Sequence, residues 1–243
     1  MNPLHQFEVL PLVPLMVGGF DLTITNQALW TGMAVAALVA IFTAGITRMR
    51  MVPGRLQSFV EMTVEFVQDL TKNTAGREAL VFLPLILSVF LFVAALNLIG
   101  MVPKSFTATA QITTTAYMAV MVFFLVVGVG VYKQGLHFFA MFLPAGTPWW
   151  LAPLIIPLEV ISFLARPLTL AVRLCANMVA GHVLLKIFAS FCVMLLGVFS
   201  LAAVLPLVLL IAISALEVFV ALLQAYIFTV LTCVYLNDAL HGH

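Results

Sequence analysis

Long apolar runs dominate this chain, and short polar or proline-containing stretches separate them. An α-helix rises 1.5 Å per residue, so about 20 apolar residues cross the roughly 30 Å hydrocarbon core of a bilayer. Because long backbones in lipid satisfy their amides only as helices, the pattern predicts an all-α, polytopic transmembrane protein with about five membrane helices. The apolar runs occupy residues 29–46, 79–99, 116–132, 154–191 and 204–235.

The last two runs are longer than a single crossing requires. As a straight helix, 154–191 would measure about 57 Å, so we expect it to be steeply tilted or broken, with possible kinks at Pro157 and Pro167. The pattern divides a single membrane domain, 1–243, into five parts. These are an extracytoplasmic N-terminal segment (1–28), a first span (29–47), an amphipathic surface helix (53–73), a two-helix hairpin (79–132) and a long tilted hairpin (154–236).

The segment 53–73 has a different pattern from the spans. Pro53-Gly54 open it, apolar residues then recur at helical spacing, and acidic and amide side chains fill much of the other face. This pattern is typical of a helix that lies on the membrane surface. A helix packed on a partner subunit fits it almost as well.

Composition narrows the class of protein further. Apolar residues make up 64% of the chain and charged residues 8%, against about 25% charged in a soluble domain. So few charges cannot cover a water-exposed surface, which excludes a soluble enzyme domain. The net charge of +1 gives no reason to expect a nucleic-acid partner. Three cysteines lie inside apolar runs without metal-site spacing, so we expect no metal site and no cofactor.

The basic residues indicate an orientation. Five of the ten follow the first span closely, and the positive-inside rule places their loop in the cytoplasm. The N-terminus is then extracytoplasmic, and five spans leave the C-terminus in the cytoplasm. The five residues are Arg48, Arg50, Arg55, Lys72 and Arg77.

Ionisable side chains within the spans are concentrated in the long hairpin 154–236. Such groups are costly at membrane depth and by default mark an ion or proton pathway. If the hairpin turns near 199–200, His182 lies level with Glu217. Arg173 is then level with Tyr226, and Gln224 lies about 3 Å away along the axis.

The level of His182 and Glu217 differs in chemistry from the level of Arg173. Histidine and glutamate both gain and lose protons, whereas arginine stays protonated in proteins, so Arg173 acts as a fixed positive charge. Along the helix, His182 lies about 13 Å beyond Arg173 and Glu159 about 21 Å before it. This order suits two offset half-channels separated by an electrostatic barrier. We find no carboxylate level with Arg173, so we expect its partner to be an acidic residue on another subunit.

Simpler interpretations exist for several of these residues. Arg166 and Lys186 could extend along the helix to the interfaces. Glu159 could interact with the helix dipole. Asn177 could form an interhelical hydrogen bond without a role in transport.

Two stretches of the long hairpin resemble a known family. Residues 170–182, LAVRLCANMVAGH, and 223–236, LQAYIFTVLTCVYL, are similar to subunit a of F-type ATP synthases. The resemblance implies a non-catalytic stator subunit that passes protons through two half-channels to the carboxylates of a rotating c-subunit ring. It also implies b-type peripheral-stalk subunits and the remainder of the complex as partners, membrane lipid as the surroundings, and a bacterial inner membrane.

The resemblance carries over residue by residue. It places the family's essential arginine on Arg173, its asparagine on Asn177, its glutamine on Gln224 and its preceding acidic residue on Glu159. His182 and Glu217 are exchanged relative to enterobacterial members, as they are in mitochondrial ones, and Arg166 and Tyr226 are secondary candidates. A self-contained proton-coupled secondary transporter is the alternative; it would need a complete substrate site within one chain.

The orientation generates a labelling prediction. In a variant without native cysteines, a cysteine replacing Asn2 should react with an impermeant thiol reagent added to intact cells, and one replacing Lys72 should not. Both should react in permeabilised cells, which controls for accessibility. The reverse pattern in intact cells would invert the assigned topology.

Overall fold

The computed structural model describes residues 8–14, 16–17, 20–21, 23–47, 50–102, 105–135, 138, 150–196 and 204–241. Five helical segments of this part are long and apolar enough to cross a membrane, which confirms the predicted all-α, polytopic class. The helices are α1 (Asn26–Ile46), α2 (Arg55–Ala75), α3 (Leu83–Gly100), α4 (Ile112–Gln134), α5 (Ala152–Leu196) and α6 (Val204–His241). Two 3-10 helices, Glu78–Phe82 and Ala108–Ala110, precede α3 and α4.

Local signals set several of the helix ends. The side chain of Thr25 accepts a hydrogen bond from the Ala28 amide and caps α1, so this helix begins three residues before its predicted apolar run. Gly76 ends α2 with φ at 79°, and Gly135 ends α4 with φ at 61°. Glycine adopts this left-handed backbone without steric cost, and it is a common helix terminator.

The N-terminal segment contains short strands that the apolar pattern did not predict. Strand β1 (Pro11–Val13) pairs antiparallel with β4 (Ile24–Thr25), and β2 (Met16–Val17) pairs with β3 (Phe20–Asp21). Asn26 fastens this segment to α1. Its backbone amide donates to the Leu10 carbonyl, its Oδ1 accepts from the Leu10 amide, and its Nδ2 donates to the Glu8 carbonyl, each at 3.1 Å.

Helix α2 corresponds to the predicted amphipathic helix. It packs against α1, α3 and α6 of its own chain, and it buries Val60, Val67 and Ala75. Other apolar side chains of α2, including Phe59 and Met62, remain more than half exposed. One face of the helix therefore packs on its own chain, and another face stays exposed. The choice between the membrane surface and a partner subunit for this exposed face stays a prediction.

Helix α6 is the centre of the packing. Helices α3, α4 and α5 all make extensive contacts with it, and α2 crosses it as well. Helix α5 has 45 residues and continues through Pro157 and Pro167, so it is about 67 Å long. The expected break is therefore absent from the described helix, and the steep tilt stays a prediction. The predicted turn near 199–200 lies outside the described residues.

The contact between α1 and α2 generates a stability prediction. A Cβ atom on Gly45 would lie 2.8 Å from Cγ2 of Val60, so Gly45→Ala forces the two helices apart. We expect a cost of about 1–3 kcal/mol in the free energy of unfolding, seen as a lower midpoint of thermal unfolding in detergent.

Gly32→Ala is the matched control, because nothing lies within 4 Å of a Cβ atom at this other α1 glycine. It should leave the midpoint unchanged or raise it slightly. Equal midpoints for the two variants would contradict the close approach at Gly45.

Candidate functional site

His182 on α5 and Glu217 on α6 form a buried pair. His182 Nδ1 lies 2.8 Å from Glu217 Oε1, and the two side chains are only 11% and 4% exposed. The hairpin register predicted this level placement from chain numbering alone, and the structure confirms that the two side chains meet. A carboxylate and an imidazole in contact can exchange a proton directly.

Gly181 allows the two helices to approach at this pair. A Cβ atom at position 181 would lie 2.6 Å from Oε1 and 3.2 Å from Cγ of Glu217. Any side chain here would displace the carboxylate. The sequence analysis did not single out Gly181, although small residues beside polar ones are a known sign of close helix contacts in membranes.

Thr107 completes the site on the other side of the imidazole. Its Oγ1 lies 2.6 Å from His182 Nε2 and 3.0 Å from the carbonyl oxygen of Gly100 at the end of α3. Thr107 is 3% exposed and directly precedes the 3-10 helix Ala108–Ala110. Sequence reasoning missed it, because a threonine in the polar stretch before a span has no periodic signal.

A cavity of about 750 Å³ adjoins this trio. It reaches from His182 and Thr107 to the N-terminal segment, with Trp30 of α1 and Leu210 of α6 among its apolar walls. The volume is enough for many water molecules, and the polar lining supplies the partners that ordered water needs. The remaining polar side chains in the lining are Glu8, Asn26, Ser105, Lys186 and Ser214.

Arg173 is exposed, and within the described part of the chain it makes no hydrogen bond or ion pair. Val172, Ala176, Ala180 and Leu184 are exposed on the same helix at helical spacing. None of the described residues therefore covers this face of α5. A permanent charge at membrane depth needs a partner, and the open face leaves room for one.

The two residues predicted near the level of Arg173 have different surroundings. Gln224 is buried, and its Oε1 has no hydrogen-bond partner among the described residues. Tyr226 is 39% exposed, and its ring centroid lies 6.2 Å from that of Phe66 on α2. The structure does not join either side chain to Arg173 by a hydrogen bond.

The simpler interpretations of Glu159 and Asn177 receive no support. Glu159 is the eighth residue of α5, and the effect of a helix dipole is confined to the first turn. Asn177 is partly buried and forms no hydrogen bond within the described ranges. Another asparagine, Asn97, does form an interhelical hydrogen bond: its Nδ2 donates to the Ala221 carbonyl at 3.0 Å.

Arg166 forms an ion pair within the chain. Its Nη1 lies 3.6 Å from Asp238 Oδ2 on α6, and its guanidinium carbon lies 5.7 Å from the centre of the Tyr235 ring. The ion pair and the cation–π contact hold α5 against α6 near the end of the chain. Sequence reasoning had not selected Asp238. Lys186 lines the cavity beside His182 rather than extending away from the site.

The chain is similar to a known protein family over most of its length. The sequence profile of the family described as ATP synthase A chain matches residues 28–237. The chain is 48% identical to ATP synthase subunit a of Nitrobacter winogradskyi, with both chains covered completely. It is 46% identical to the subunit of the same name from Rhizobium leguminosarum, covering 100% of this chain and 99% of the relative. The Agrobacterium fabrum relative is also 46% identical, with 99% and 98% covered.

The approach at Gly181 generates a crosslinking prediction. In a variant without native cysteines, Gly181→Cys with Glu217→Cys should form a disulfide on mild oxidation, because a Cβ atom at 181 lies only 3.2 Å from the Glu217 Cγ position. After a protease cuts the chain between the two helices, the disulfide is detected as a mobility shift that a reductant reverses.

The control pair is Gly181→Cys with Phe219→Cys. Phe219 lies two residues from Glu217, about 200° around α6, and is 63% exposed. It should crosslink far less. Equal crosslinking of the two pairs would show that the helices do not keep the register described.

Proposed function

The chain belongs to the ATP synthase A chain family, and we propose that it is the non-catalytic proton-channel stator subunit of a rotary F-type ATP synthase. In this function it passes protons to and from carboxylates of a rotating ring and so couples proton flow to rotation. The observation that carries the proposal is Arg173, a permanent charge at membrane depth on an open face of α5. Such a charge is stable there only if another subunit covers it.

Arg173 has two effects on a passing carboxylate. At an effective dielectric constant of about 20, a unit charge about 4 Å from a carboxylate contributes roughly 4 kcal/mol. This energy favours the ionised carboxylate while it faces Arg173 and so drives proton release. The same charge repels protons, which prevents a direct leak from one half-channel to the other.

The first half-channel follows the cavity to the buried pair. Water in the cavity reaches His182, and His182 contacts Glu217 at 2.8 Å, so a proton passes from solvent to an acidic group near the rotor-facing side. The N-terminal segment lines the outer part of this cavity. With the N-terminus extracytoplasmic, this half-channel opens to the outside of a bacterial inner membrane.

The second half-channel lies on the other side of Arg173. Glu159 is fourteen residues earlier on the same helix, about 21 Å away, and it is partly buried. It accepts protons that ring carboxylates release and passes them to the cytoplasm. Asn177 and Gln224 flank Arg173 on the two long helices and offer uncharged polar groups to the passing carboxylate, with Tyr226 as a secondary contact. Arg166 is held by Asp238 and steadies α5 against α6 beside this path.

The proposed partners follow from the exposed surfaces. The open face of α5 around Arg173 fits the c-subunit ring. The b-type subunits of the peripheral stalk and the remainder of the complex are further partners, and lipid covers the other apolar surfaces. A self-contained secondary transporter is not favoured, because the relatives are named as subunits of ATP synthase over the full chain length.

The role of Arg173 generates the test of this function. Arg173→Ala should abolish ATP synthesis in membrane vesicles, while passive proton permeability stays the same or rises because the barrier is gone. Arg173→Lys should restore little, since a compact ammonium lacks the planar donor fork and loses its proton more easily when buried.

Val172→Ala is the matched control. It removes apolar surface from the neighbouring exposed position without changing charge, and it should retain ATP synthesis. Immunoblots should show equal incorporation of all variants. Near-normal synthesis by Arg173→Ala would refute the proposed function.

A further inference from the structure

We propose that Thr107 is a positioning residue that fixes the tautomer of His182, so that His182 and Glu217 share one mobile proton. The inference rests on the proposed function, since it concerns the proton path through this pair. It adds a residue from outside the two long helices, and it specifies which ring nitrogen exchanges the proton.

The first step is a count of hydrogen-bond donors around Thr107. A threonine hydroxyl has one proton to donate and can accept through its oxygen, whereas a peptide carbonyl can only accept. Thr107 Oγ1 lies 3.0 Å from the Gly100 carbonyl oxygen and 2.6 Å from His182 Nε2. With the hydroxyl proton directed to Gly100, the hydroxyl oxygen accepts from Nε2, and Nε2 keeps its hydrogen.

The second step concerns the other ring nitrogen. With Nε2 protonated, Nδ1 faces Glu217 Oε1 at 2.8 Å, and one proton lies between them. In one state the imidazolium donates from Nδ1 to the carboxylate. In the other state the Nδ1–H bond has broken, an Oε1–H bond has formed, and neutral imidazole accepts from neutral carboxylic acid. The proton moves along a single line, and the total charge of the pair is zero in both states.

The third step is that Thr107 is held in place. It is 3% exposed, and a Cβ atom on Gly100 would lie 2.7 Å from its Cγ2 atom, so the Thr107 side chain packs directly against Gly100. Ser105 Oγ lies 2.7 Å from the Ile99 carbonyl oxygen, and this contact fastens the connection between α3 and Thr107. A buried side chain with a fixed backbone leaves the imidazole ring little freedom to flip.

Charged groups approach His182 from three elements. Glu217 contacts it from α6, Lys186 follows it on α5, and Glu8 of the N-terminal segment lines the same cavity. Thr107 is uncharged, so substituting it changes none of these charges. An altered pH dependence in a Thr107 variant therefore reports the hydrogen bond to Nε2.

The test measures ATP-driven proton pumping by the whole complex in inverted vesicles as a function of pH. Thr107→Val removes the acceptor at Nε2, so nothing keeps the hydrogen on that ring nitrogen. We expect several-fold slower pumping and a shifted pH profile, because the ring that carries the proton has lost a hydrogen bond. Thr107→Ser keeps the hydroxyl and should restore both rate and profile.

Thr109→Val is the matched control. Thr109 is fully buried two residues away, and its hydroxyl has no hydrogen-bond partner among the described residues. This variant should keep the wild-type profile. If Thr107→Val does not assemble, Thr107→Ala removes the same hydroxyl with less volume and is compared with Thr107→Ser in the same way.

Two outcomes would overturn the inference. One is an unshifted pH profile in an assembled Thr107 variant that lacks the hydroxyl. The other is a Thr107→Ser variant whose pumping rate and pH profile are altered as strongly as those of the variant that lacks the hydroxyl. Arg173→Ala is measured in parallel, so that failure of this inference can be told from failure of the proposed function. If Arg173→Ala loses coupling while the Thr107 profile is unshifted, only the role of Thr107 is rejected.

Discussion

An ionisable side chain in a membrane needs a partner, and this requirement explains how the two long helices are arranged. His182 and Glu217 satisfy it within the chain, because Gly181 lets the helices approach until imidazole and carboxylate meet. Arg166 satisfies it through Asp238. Arg173 has no such partner in the described chain and lies on an open face of α5. Two ionisable pairs are thus completed within the described residues, whereas Arg173 is left without a partner there on the face where the proposed rotor passes.

Helix α6 allows these three arrangements to coexist. It packs against α2, α3, α4 and α5, so it supplies both Glu217 and Asp238 from one well-supported element. Asn97 of α3 adds a buried hydrogen bond to the α6 backbone at Ala221, four residues after Glu217. The carboxylate that faces His182 is therefore held from several sides. The exposed side of α5 has no comparable support from the residues that the structure describes.

The sequence predicted those features that depend on periodicity and chain numbering. Span lengths predicted the five membrane helices, and counting residues across the hairpin placed His182 level with Glu217. It did not predict Thr107, Gly181 or Asp238 as parts of the site, because their positions depend on how closely separate helices approach. The four short strands were missed for a related reason: strands of two or three residues are too short to show alternation. The roles of Glu159, Asn177, Gln224 and Arg173 in proton transfer remain predictions.

The two prolines of α5 affect how the helix responds to mechanical load. Pro167 lies between Glu159 and Arg173 and removes one backbone hydrogen bond there, whereas no proline interrupts the helix from Arg173 to His182. Bending is therefore easier on the side of Arg173 that carries Glu159 than on the side that carries His182. We expect a displacement of Arg173 to reach the imidazole more directly than it reaches Glu159.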